Sequence, residues 1–416
     1  MKDAFVARQP IFDARYNIHG YELLYRADPD ADSAVHDRSH AEMSSKVIVD
    51  SIIGIGLPRL TGGATAYINI PEVMLLEGIP EVLNPKDFVL ELLESVRPTP
   101  EVLAACSELK EKGFRLAMDD FVFRPEYSPL LSMADVVKVD VLDPRHDLAA
   151  LASTLQSHNV TLLAEKVENR EVHDRCEALG FELFQGFHYF RPETMKRKDM
   201  AADSVALIRL LNLIKDINAT DRQVEDAFRS SPGLTYKLLR IVNSAAMGGR
   251  GIDSITHAMR LLGRDHLYRW MSLLLLTMGG GGGEMRTEMI KSALIRGRMC
   301  ELLGDGVRSA RVRDVPAGGT LFLVGLFSHL DALIGVDIEE IVDELDLSQD
   351  VRDALLLFTG KAGILLRTVL DYADAEWDSA EGHFRELGGD VSVLSDLYLD
   401  SLTWAGDRMS FHEVDS

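Results

Sequence analysis

Residues 114–120 read Phe-Arg-Leu-Ala-Met-Asp-Asp, a short apolar run that ends in two carboxylates. Two later runs have the same form: Val-Val-Lys-Val-Asp at 136–140 and Thr-Leu-Leu-Ala-Glu at 161–165. Short, nearly continuous apolar runs are typical of strands that are buried on both faces, as in parallel sheets. Helical patterns lie between such runs, so this part of the chain predicts repeated strand–helix units.

The first half of the chain contains eight runs of this kind. The helical patterns between them include Pro100–Lys112 and Asn169–Leu179, and Gly180 after the second is a common residue at a helix C-terminus. Eight strands alternating with helices favour a parallel sheet or a TIM-like (β/α)₈ barrel. The predicted strands are Phe5–Arg8, Gly20–Tyr25, Thr65–Ile70, Phe88–Leu92, Phe114–Met118, Val136–Val139, Thr161–Ala164 and Glu182–Phe187.

The second half of the chain is dominated by helical periodicity from Ser204 onward. Residues 220–223, Thr-Asp-Arg-Gln, have the form of a capping box, and Ser231-Pro232 has that of an N-cap followed by proline. The five glycines Gly279–Gly283 predict a flexible loop. We expect an α/β domain at 1–195, an all-helical domain at 200–405 and a C-terminal tail at 406–416. Further helices are predicted at Thr287–Leu303, Thr320–Leu333 and Gln349–Tyr372.

The composition is that of a soluble globular protein. The 416 residues are 46% hydrophobic and 26% charged. A net charge of −22 disfavours binding to nucleic acid or to anionic membranes. Three well-separated cysteines indicate a reducing compartment. The N-terminus has no run like a signal peptide, and the strongest apolar run, Trp270–Met278, is shorter than the roughly 20 residues a bilayer needs. We expect a cytoplasmic protein without membrane insertion.

Carboxylate and amide side chains recur at the ends of the predicted strands. In a (β/α)₈ barrel the C-terminal strand ends converge on one mouth, where active sites lie. Any one of these residues is more often structural, because loops are polar, but the ordered set is harder to explain in that way. Carboxylates that converge repel one another, and hard divalent cations relieve this. The set is Glu22, Asn69, Glu91, Asp119, Asp120, Lys138, Asp140, Glu165, Glu168 and Gln185.

The chemistry of this set points to phosphodiesters. Carboxylate oxygens with one Asn favour Mg²⁺, Mn²⁺ or Ca²⁺ over Zn²⁺. Two such ions can hold a phosphodiester between them and lower the pKa of a bridging water. Lys138 would then neutralise charge on a phosphate oxygen in the transition state.

Short motifs around these residues occur in the order of a known family. They are Gly20–Arg26 around Glu22-Leu23-Leu24, then Asn69, Leu90–Glu94, Asp119-Asp120-Phe121, Lys138-Val139-Asp140, Ala164–Glu168 and Gln185-Gly186. In this order they resemble the EAL family of cyclic-di-GMP phosphodiesterases. The opening, Phe5–Ile11 followed by Gly20–Arg26, resembles the branch in which an EAL domain precedes an HDOD domain.

The resemblance implies a reaction and a site. The family reaction opens cyclic-di-GMP to linear pGpG, with Mg²⁺ or Mn²⁺ in a two-metal site and Ca²⁺ expected to inhibit. Catalytic roles fall to Glu22, Lys138 and Glu165, and dinucleotide contacts to Arg26 and Gln185. The implied metal ligands are Glu22, Asn69, Glu91, Asp119, Asp120 and Glu168.

The sequence also departs from the family pattern. Leu23 replaces the Ala of Glu-Ala-Leu, and Lys166 replaces a glycine and brings a cation close to the site. After Asp120 the loop at 121–128 lacks both family glycines and gains Pro125. An active phosphodiesterase and an inactive cyclic-di-GMP sensor therefore both stay open, as does a scaffold that binds no nucleotide.

The helical half resembles an HDOD domain, a relative of HD phosphohydrolases, in Leu238–Ala245, Ile252–Ile255 and Leu261-Leu262-Gly263. A catalytic HD centre needs a His-Asp dipeptide. No histidine after residue 200 is followed by Asp, so a metallohydrolase centre is not expected there. We expect an interaction or sensing module whose partner is an unknown regulatory protein, and a homodimer is possible. The histidines are His257, His266, His329, His383 and His412.

Overall fold

A computed structural model of the chain describes residues 4–27, 56–145, 147–186, 202–229, 255–277, 283–334, 337–344 and 347–413. We call the described residues up to 186 the barrel and those from 202 onward the helical half. The predicted helix that begins at Ser231-Pro232 lies outside the described residues. So do the motif residues at 238–245 and most of the predicted glycine loop.

Eight strands close into a barrel in chain order. Each predicted strand overlaps an observed one, and the predicted barrel is confirmed. β2 to β8 run parallel to one another, whereas β1 is antiparallel to both of its neighbours, β2 and β8. The strands are β1 (Ala4–Asp13), β2 (Ile18–Ala27), β3 (Thr65–Ile70), β4 (Phe88–Leu92), β5 (Arg115–Met118), β6 (Val136–Asp140), β7 (Thr161–Glu165) and β8 (Leu183–Phe184).

The reversed direction of β1 departs from a regular (β/α)₈ barrel, and the turn that follows it gives the reason. Only residues 14–17 separate β1 from β2, whereas a parallel crossover needs a dozen or more residues. The turn is held by Asp13, whose Oδ1 accepts hydrogen bonds from the backbone N–H groups of Arg15 and Asn17, both at 2.8 Å. Tyr16 takes a left-handed conformation at φ 65°.

The helices of the barrel match the two predictions made for them. α3 has Thr99 as its N-cap, and α6 has Asn169, whose side chain accepts a hydrogen bond from the N–H of Val172 at 3.0 Å. Gly180 follows α6 with φ 88°. The barrel helices are α1 (Leu57–Thr61), α2 (Glu72–Leu76), α3 (Pro100–Glu111), α4 (Ser128–Leu131), α5 (Leu148–Gln156) and α6 (Arg170–Ala178).

An apolar layer fills the barrel interior. It takes one side chain from β1 and one from each strand from β3 to β8, and all are buried. β2 contributes Gly20 instead, where an added Cβ would lie 2.7 Å from the carbonyl oxygen of Thr65 and 3.0 Å from the Tyr67 ring. The barrel is therefore closed by packing below its mouth. The layer is formed by Ile11, Tyr67, Val89, Ala117, Val136, Leu163 and Leu183.

The predicted capping box is present in the helical half, at the start of the helix Asp221–Arg229. The N–H of Thr220 donates to Oε1 of Gln223 at 2.8 Å, and the N–H of Gln223 donates back to Oγ1 of Thr220 at 3.3 Å. The helices are α7 (Ala202–Lys215), α8 (Asp221–Arg229), α9 (Ile255–Thr277), α10 (Glu284–Ser309), α11 (Gly318–Phe327), α12 (Leu330–Ile334), α13 (Ile338–Glu344), α14 (Gln349–Leu356), α15 (Gly360–Ala373), α16 (Trp377–Glu386) and α17 (Leu394–Glu413).

Two predicted helices are each divided in the structure. The predicted helix Thr320–Leu333 is split between α11 and α12, and Gln349–Tyr372 is split between α14 and α15. The second break lies at Phe358 and Gly360, whose φ values of 54° and 69° cannot continue an α-helix. α17 continues to Glu413, through most of the predicted C-terminal tail.

Residues 270–277 of the apolar run lie in α9, and the Met271 and Leu275 side chains are buried, as predicted. Among the described residues, no helix combines the length and apolar character that a membrane span requires.

A buried ion pair joins the helical half to the barrel. Nη2 of Arg8 on β1 lies 2.5 Å from Oε1 of Glu288 on α10, with side-chain exposures of 2% and 6%. The other carboxylate oxygen accepts a hydrogen bond from the hydroxyl of Tyr21 at 2.8 Å, and the Arg8 guanidinium lies 4.2 Å from the centre of that ring. Arg8 also donates to the carbonyl of Leu60 at 2.8 Å.

We expect Glu288→Ala to lower the free energy of unfolding by about 3 to 5 kcal/mol, because it leaves the Arg8 guanidinium buried without its counter-ion. All three tryptophans lie in the helical half, so urea unfolding is followed by tryptophan fluorescence and by far-UV circular dichroism. Glu284→Ala, one turn earlier on α10, is the matched control: it removes an exposed contact to the N–H of Ile18 and should cost less than about 1 kcal/mol. Equal losses in the two variants would contradict the expected role of Glu288.

Candidate active site

The ammonium group of Lys138 lies among four carboxylates at the barrel mouth. Nζ is 2.8 Å from Asp119, 3.0 Å from Glu165, 3.1 Å from Glu91 and 3.2 Å from Glu22. The Lys138 side chain is 1% exposed and that of Glu91 is fully buried. We call these five residues the Lys138 cluster. The sequence predicted that they converge, and the structure brings them together.

The strand pattern explains how they meet. Side chains two residues apart on a strand point to the same face. Glu91, Asp119, Lys138 and Glu165 each stand two residues beyond a member of the apolar interior layer, so they form the next layer toward the mouth. Asn69 and Gln185 stand in the same relation to Tyr67 and Leu183.

Burial and charge shift the protonation of the cluster in different directions. Burial opposes a charge on Lys138, but the surrounding carboxylates raise its pKa well above the ordinary value. Burial also acts to raise the pKa of Glu22, but Lys138 and a hydrogen bond from Gln185 bring it below the ordinary value. For Glu91 and Glu165 burial prevails over Lys138: it raises the pKa of Glu91 well above the ordinary value and that of Glu165 to about 7.

Gln185 links the cluster to β1. Its Nε2 donates to Oε2 of Glu22 at 2.8 Å and to Oε1 of Gln9 at 2.9 Å. Gly186 follows with φ 146°, and an added Cβ there would lie 2.4 Å from the backbone nitrogen of Val167. A side chain at position 186 would therefore push apart the segments after β7 and β8. The glycine lets Gln185 reach the mouth.

The other predicted site residues lie around the cluster. Nδ2 of Asn69 lies 3.5 Å from Oε1 of Glu22. Asp120 and Glu168 are exposed and line the cavity above the mouth. Arg26 does not line that cavity. It donates to Asp378 at 2.7 Å and to Glu381, both in the helical half.

Lys166, which departs from the family pattern, is paired with a carboxylate. Its Nζ lies 2.6 Å from Oδ2 of Asp140 at the end of β6. The backbone of Lys166 has φ 57°, in the left-handed region that favours glycine. The lysine therefore takes a backbone conformation that glycine adopts more readily, and it adds an exposed cation beside the mouth.

The altered loop after Asp120 adopts a path that needs no glycine. Asp120 has φ 43°, but no residue from 121 to 128 has a positive φ. Phe121 is buried, and its N–H donates to the carbonyl of Lys138 at 3.1 Å. A short 3₁₀ turn at Pro125–Tyr127 follows. Loss of the glycines thus leaves Asp119 and Asp120 at the mouth.

The oxygen atoms of the mouth fit a hard divalent cation. Oδ1 of Asn69, Oε2 of Glu91 and Oε2 of Glu165 are buried and have no hydrogen-bond partner among the described residues. Oxygen atoms in this state suit Mg²⁺ or Mn²⁺, which take carboxylate and amide ligands. Among the described residues, one group has three ligand atoms that lie within 4.8 Å of one another: His173, Asp174 and Glu177. The carboxylates of the mouth do not form such a compact group, because they are spread around Lys138.

That second group has a structural explanation. His173 is buried on α6, between the rings of Tyr16 at 5.3 Å and Phe184 at 4.4 Å. Asp174 and Glu177 are exposed.

The helical half lies over the mouth, and a partly open cavity of about 500 Å³ lies between the two. Glu22, Asp119, Lys138 and Glu165 of the Lys138 cluster lie on its floor, with Gln9 and Gln185 beside them. α10, α15 and α17 supply the opposite wall. A cavity of this volume is in the range of small-molecule sites. Its helical wall is lined by Ser292, Ile295, Arg296, Met299, Val369, Ala373, Asp374, Glu376 and Tyr398, with Glu288 at the edge.

Comparison with known families agrees with this architecture. The family model for the EAL domain matches residues 75–192, and the model for the HDOD domain matches residues 201–340. A protein of Bacillus subtilis (strain 168), named uncharacterized protein YuxH, is 32% identical over 97% of this chain and 98% of its own length. The chain belongs to the EAL–HDOD family.

Two further relatives carry functional names. Cyclic di-GMP phosphodiesterase CdgJ of Vibrio cholerae serotype O1 is 30% identical over 98% of this chain and 93% of its own length. A solved structure of Klebsiella pneumoniae BlrP1, a complex with calcium and cyclic-di-GMP, is 25% identical, with a TM-score of 0.34 over 44% of this chain and 54% of that one.

Sequence reasoning found the EAL strand ends but missed the residues that face them. Gln9 lies within the quoted opening motif, so its position on β1 was available as a signal. Arg296, Asp374 and Tyr398 are more than 100 residues from the barrel strands, and no local pattern marks them. Only the closure of the helical half over the EAL barrel brings them to the cavity.

In the metal-free EAL–HDOD protein, the free energy of unfolding should fall as the pH rises from about 4.5 to about 7. Burial raises the folded-state pKa of Glu165 to about 7, so in this range the folded chain holds a proton that the unfolded chain has lost. The stabilisation is complete below pH 4.5 and is lost as the pH passes 7. Glu165→Gln should remove this part of the slope in urea unfolding with EDTA at pH 4 to 8.

The control for this measurement is Glu182→Gln, which changes an exposed carboxylate just before β8 and should keep the slope. A slope that is the same in Glu165→Gln and in the parent protein would show that Glu165 does not hold its proton as described.

We expect Lys166→Gly to be more stable than Lys166→Ala by about 1 kcal/mol. Both variants lose the ion pair with Asp140, but only glycine relieves the left-handed backbone at φ 57°. Chemical unfolding of the two variants under the same conditions measures the difference. If the alanine variant is as stable as the glycine variant, the backbone at position 166 is not strained.

Proposed function

We propose that this EAL–HDOD protein is a metal-dependent phosphodiesterase that opens cyclic-di-GMP to linear pGpG. The observation that carries the proposal is the Lys138 cluster: a buried ammonium that lies among four carboxylates and, with three of them, lines the cavity. The name of CdgJ, a relative over nearly the whole chain, supports cyclic-di-GMP as the substrate.

The proposed metal ions are Mg²⁺ or Mn²⁺, bound at the mouth. Glu22, Asn69, Glu91, Asp119 and Asp120 would hold the ions, with Glu168 at the rim. When bound, the ions supply positive charge beside the phosphate and lower the pKa of a bound water. The buried oxygens of Asn69 and Glu91 without hydrogen-bond partners among the described residues support this ligand set. Ca²⁺ is expected to bind and to inhibit.

The protein groups have distinct parts in the proposed reaction. Lys138 keeps its proton, because its pKa is well above the ordinary value, and its charge faces the developing charge on a phosphate oxygen. Glu165, with a pKa of about 7, can accept the proton of the attacking water near neutral pH. Gln185 holds Glu22 in place through its 2.8 Å hydrogen bond.

A second candidate is a cyclic-di-GMP sensor without turnover. Two observations favour it: Lys166 occupies a carboxylate beside the mouth, and Arg26, the proposed dinucleotide contact, is paired with Asp378 and Glu381. In either case we propose an EAL domain at 1–195 and an HDOD domain at 200–405 that signals to a regulatory protein. We also propose a cytoplasmic location and a possible homodimer.

The test is incubation of purified full-length protein with cyclic-di-GMP and Mn²⁺ or Mg²⁺, with pGpG followed by chromatography. Glu22→Ala should lower the rate of pGpG formation by about 100-fold or more, because Glu22 is both a proposed metal ligand and a partner of Lys138. Glu182→Ala, an exposed carboxylate outside the cavity, is the control and should keep the parent rate.

Binding of cyclic-di-GMP is titrated in Ca²⁺ in parallel. Product that persists in Glu22→Ala would refute the assigned chemistry. Tight binding without product in the parent protein would favour the sensor. Absence of both binding and product would favour a scaffold that binds no nucleotide.

A further inference from the structure

The cavity above the EAL barrel has a second polar site on its helical wall. Arg296 on α10 and Asp374 just after α15 line the cavity opposite the Lys138 cluster. Four apolar side chains flank them, from Ile295, Met299, Val369 and Ala373. Neither polar residue belongs to the ligand set proposed for the metal ions. This wall therefore needs an explanation of its own.

Arg296 is a cation with unused hydrogen-bonding capacity. Its hydrogen-bond contact among the described residues joins Nη1 to Nδ1 of His329 at 3.3 Å. Nε is buried and has no hydrogen-bond partner in the described part of the chain. An unsatisfied buried donor carries a desolvation cost. A guanidinium has five N–H groups arranged for two-point contacts, and Arg296 lines the cavity, so it can donate to an acceptor that enters there.

Asp374 places an acceptor on the same wall. It is partly buried, and burial raises its pKa to about 6 although the charge of Arg296 opposes this. At neutral pH the side chain is therefore a carboxylate that accepts hydrogen bonds. Burial lowers the pKa of Arg296, and the charges of Asp374 and Asp331 oppose that shift. Arg296 and Asp374 thus place a donor and an acceptor on the same wall of the cavity.

This combination selects among the parts of a cyclic dinucleotide. A phosphate beside Arg296 would also lie near the carboxylate of Asp374, which repels it. A guanine base presents the acceptors O6 and N7 together with the donors N1–H and N2–H₂, and arginine is the commonest partner of O6 and N7. The flat base also suits apolar side chains above and below it. Adenine, with an amino group in place of O6, would meet Arg296 with a donor.

We propose that the helical half binds a guanine base of the dinucleotide, with Arg296 donating to the O6/N7 edge and Asp374 accepting from N1–H and N2–H₂. The cavity then holds the phosphodiester on its EAL floor and the base against its helical wall. This inference rests on the proposed function for its ligand, and it gives the helical half a direct part in substrate selection.

The test uses full-length protein and calorimetric titration with cyclic-di-GMP and with cyclic-di-AMP, both in Ca²⁺. Arg296→Gln and Asp374→Asn should each weaken binding of cyclic-di-GMP by about 10- to 100-fold and change that of cyclic-di-AMP by less than about threefold. Arg296→Lys keeps the charge but loses the two-point geometry. It should therefore also weaken binding of cyclic-di-GMP more than binding of cyclic-di-AMP. Melting temperatures confirm that the variants are folded.

Arg298→Gln is the matched control. It lies two residues further along α10, pairs with Glu301 at 2.7 Å and does not line the cavity. It should bind both nucleotides as the parent protein does. Equal weakening of the two nucleotides by Arg296→Gln would assign Arg296 to phosphate and overturn the inference. Unchanged binding in the Arg296 and Asp374 variants would overturn it as well.

The outcome is separable from that of the proposed function. If the parent protein binds cyclic-di-GMP selectively through Arg296 and Asp374 but forms no pGpG with Mn²⁺, the phosphodiesterase proposal fails and the guanine site stands. If pGpG forms at the parent rate and with the parent KM in Arg296→Gln, the guanine site fails and the phosphodiesterase stands. Absence of cyclic-di-GMP binding in the parent protein would overturn both.

Discussion

The ammonium group of Lys138 and the four carboxylates around it are the interaction on which the barrel mouth depends. A single buried cation between 2.8 and 3.2 Å from each carboxylate offsets part of their mutual repulsion. The arrangement requires that β2, β4, β5, β6 and β7 end at the same level. The apolar layer fixes that level, because Glu91, Asp119, Lys138 and Glu165 each stand two residues beyond one of its members. Packing in the barrel interior therefore positions the chemistry at its mouth.

One positive charge does not balance four carboxylates, and the cluster responds by holding protons. Glu22 has a lowered pKa, whereas Glu91, Asp119 and Glu165 have raised values, chiefly because of burial. A raised carboxyl pKa at a buried oxygen is what a divalent cation reverses, since the cation favours the ionised form. The metal-free mouth is thus poised between protons and metal ions. In the metal-free mouth Lys138 stays charged, because the surrounding carboxylates raise its pKa well above the ordinary value.

Much of this architecture could be predicted from the sequence, and the failures have physical causes. Strands β3 to β8 are short apolar runs, so their periodicity and their terminal acids were sufficient to predict the strands and the residues at the mouth. The direction of β1 depends on the four-residue turn at 14–17, which a search for apolar runs does not weigh. The break at Phe358 depends on a left-handed residue that carries no glycine signal of its own. Lys138 was assigned to the phosphate, but its place at the centre of the carboxylates follows only from the closed barrel.

The helices of the wall were predicted in part, at Thr287–Leu303 and Gln349–Tyr372, but their position over the EAL mouth could not be predicted. Arg8 and Glu288 are 280 residues apart, yet they form the most deeply buried contact that we describe between the two halves. A buried charge pair is costly to separate, because each partner would be left in a poorly solvated site. Contacts of Arg26 with Asp378 and of Arg59 with Leu399 and Thr403 are more exposed and cost less to break. Arg8 and Glu288 both line the cavity, so the pair helps to hold its helical wall against the barrel. The barrel supplies the floor and the helical half supplies the wall, and a ligand that fills the cavity must satisfy both.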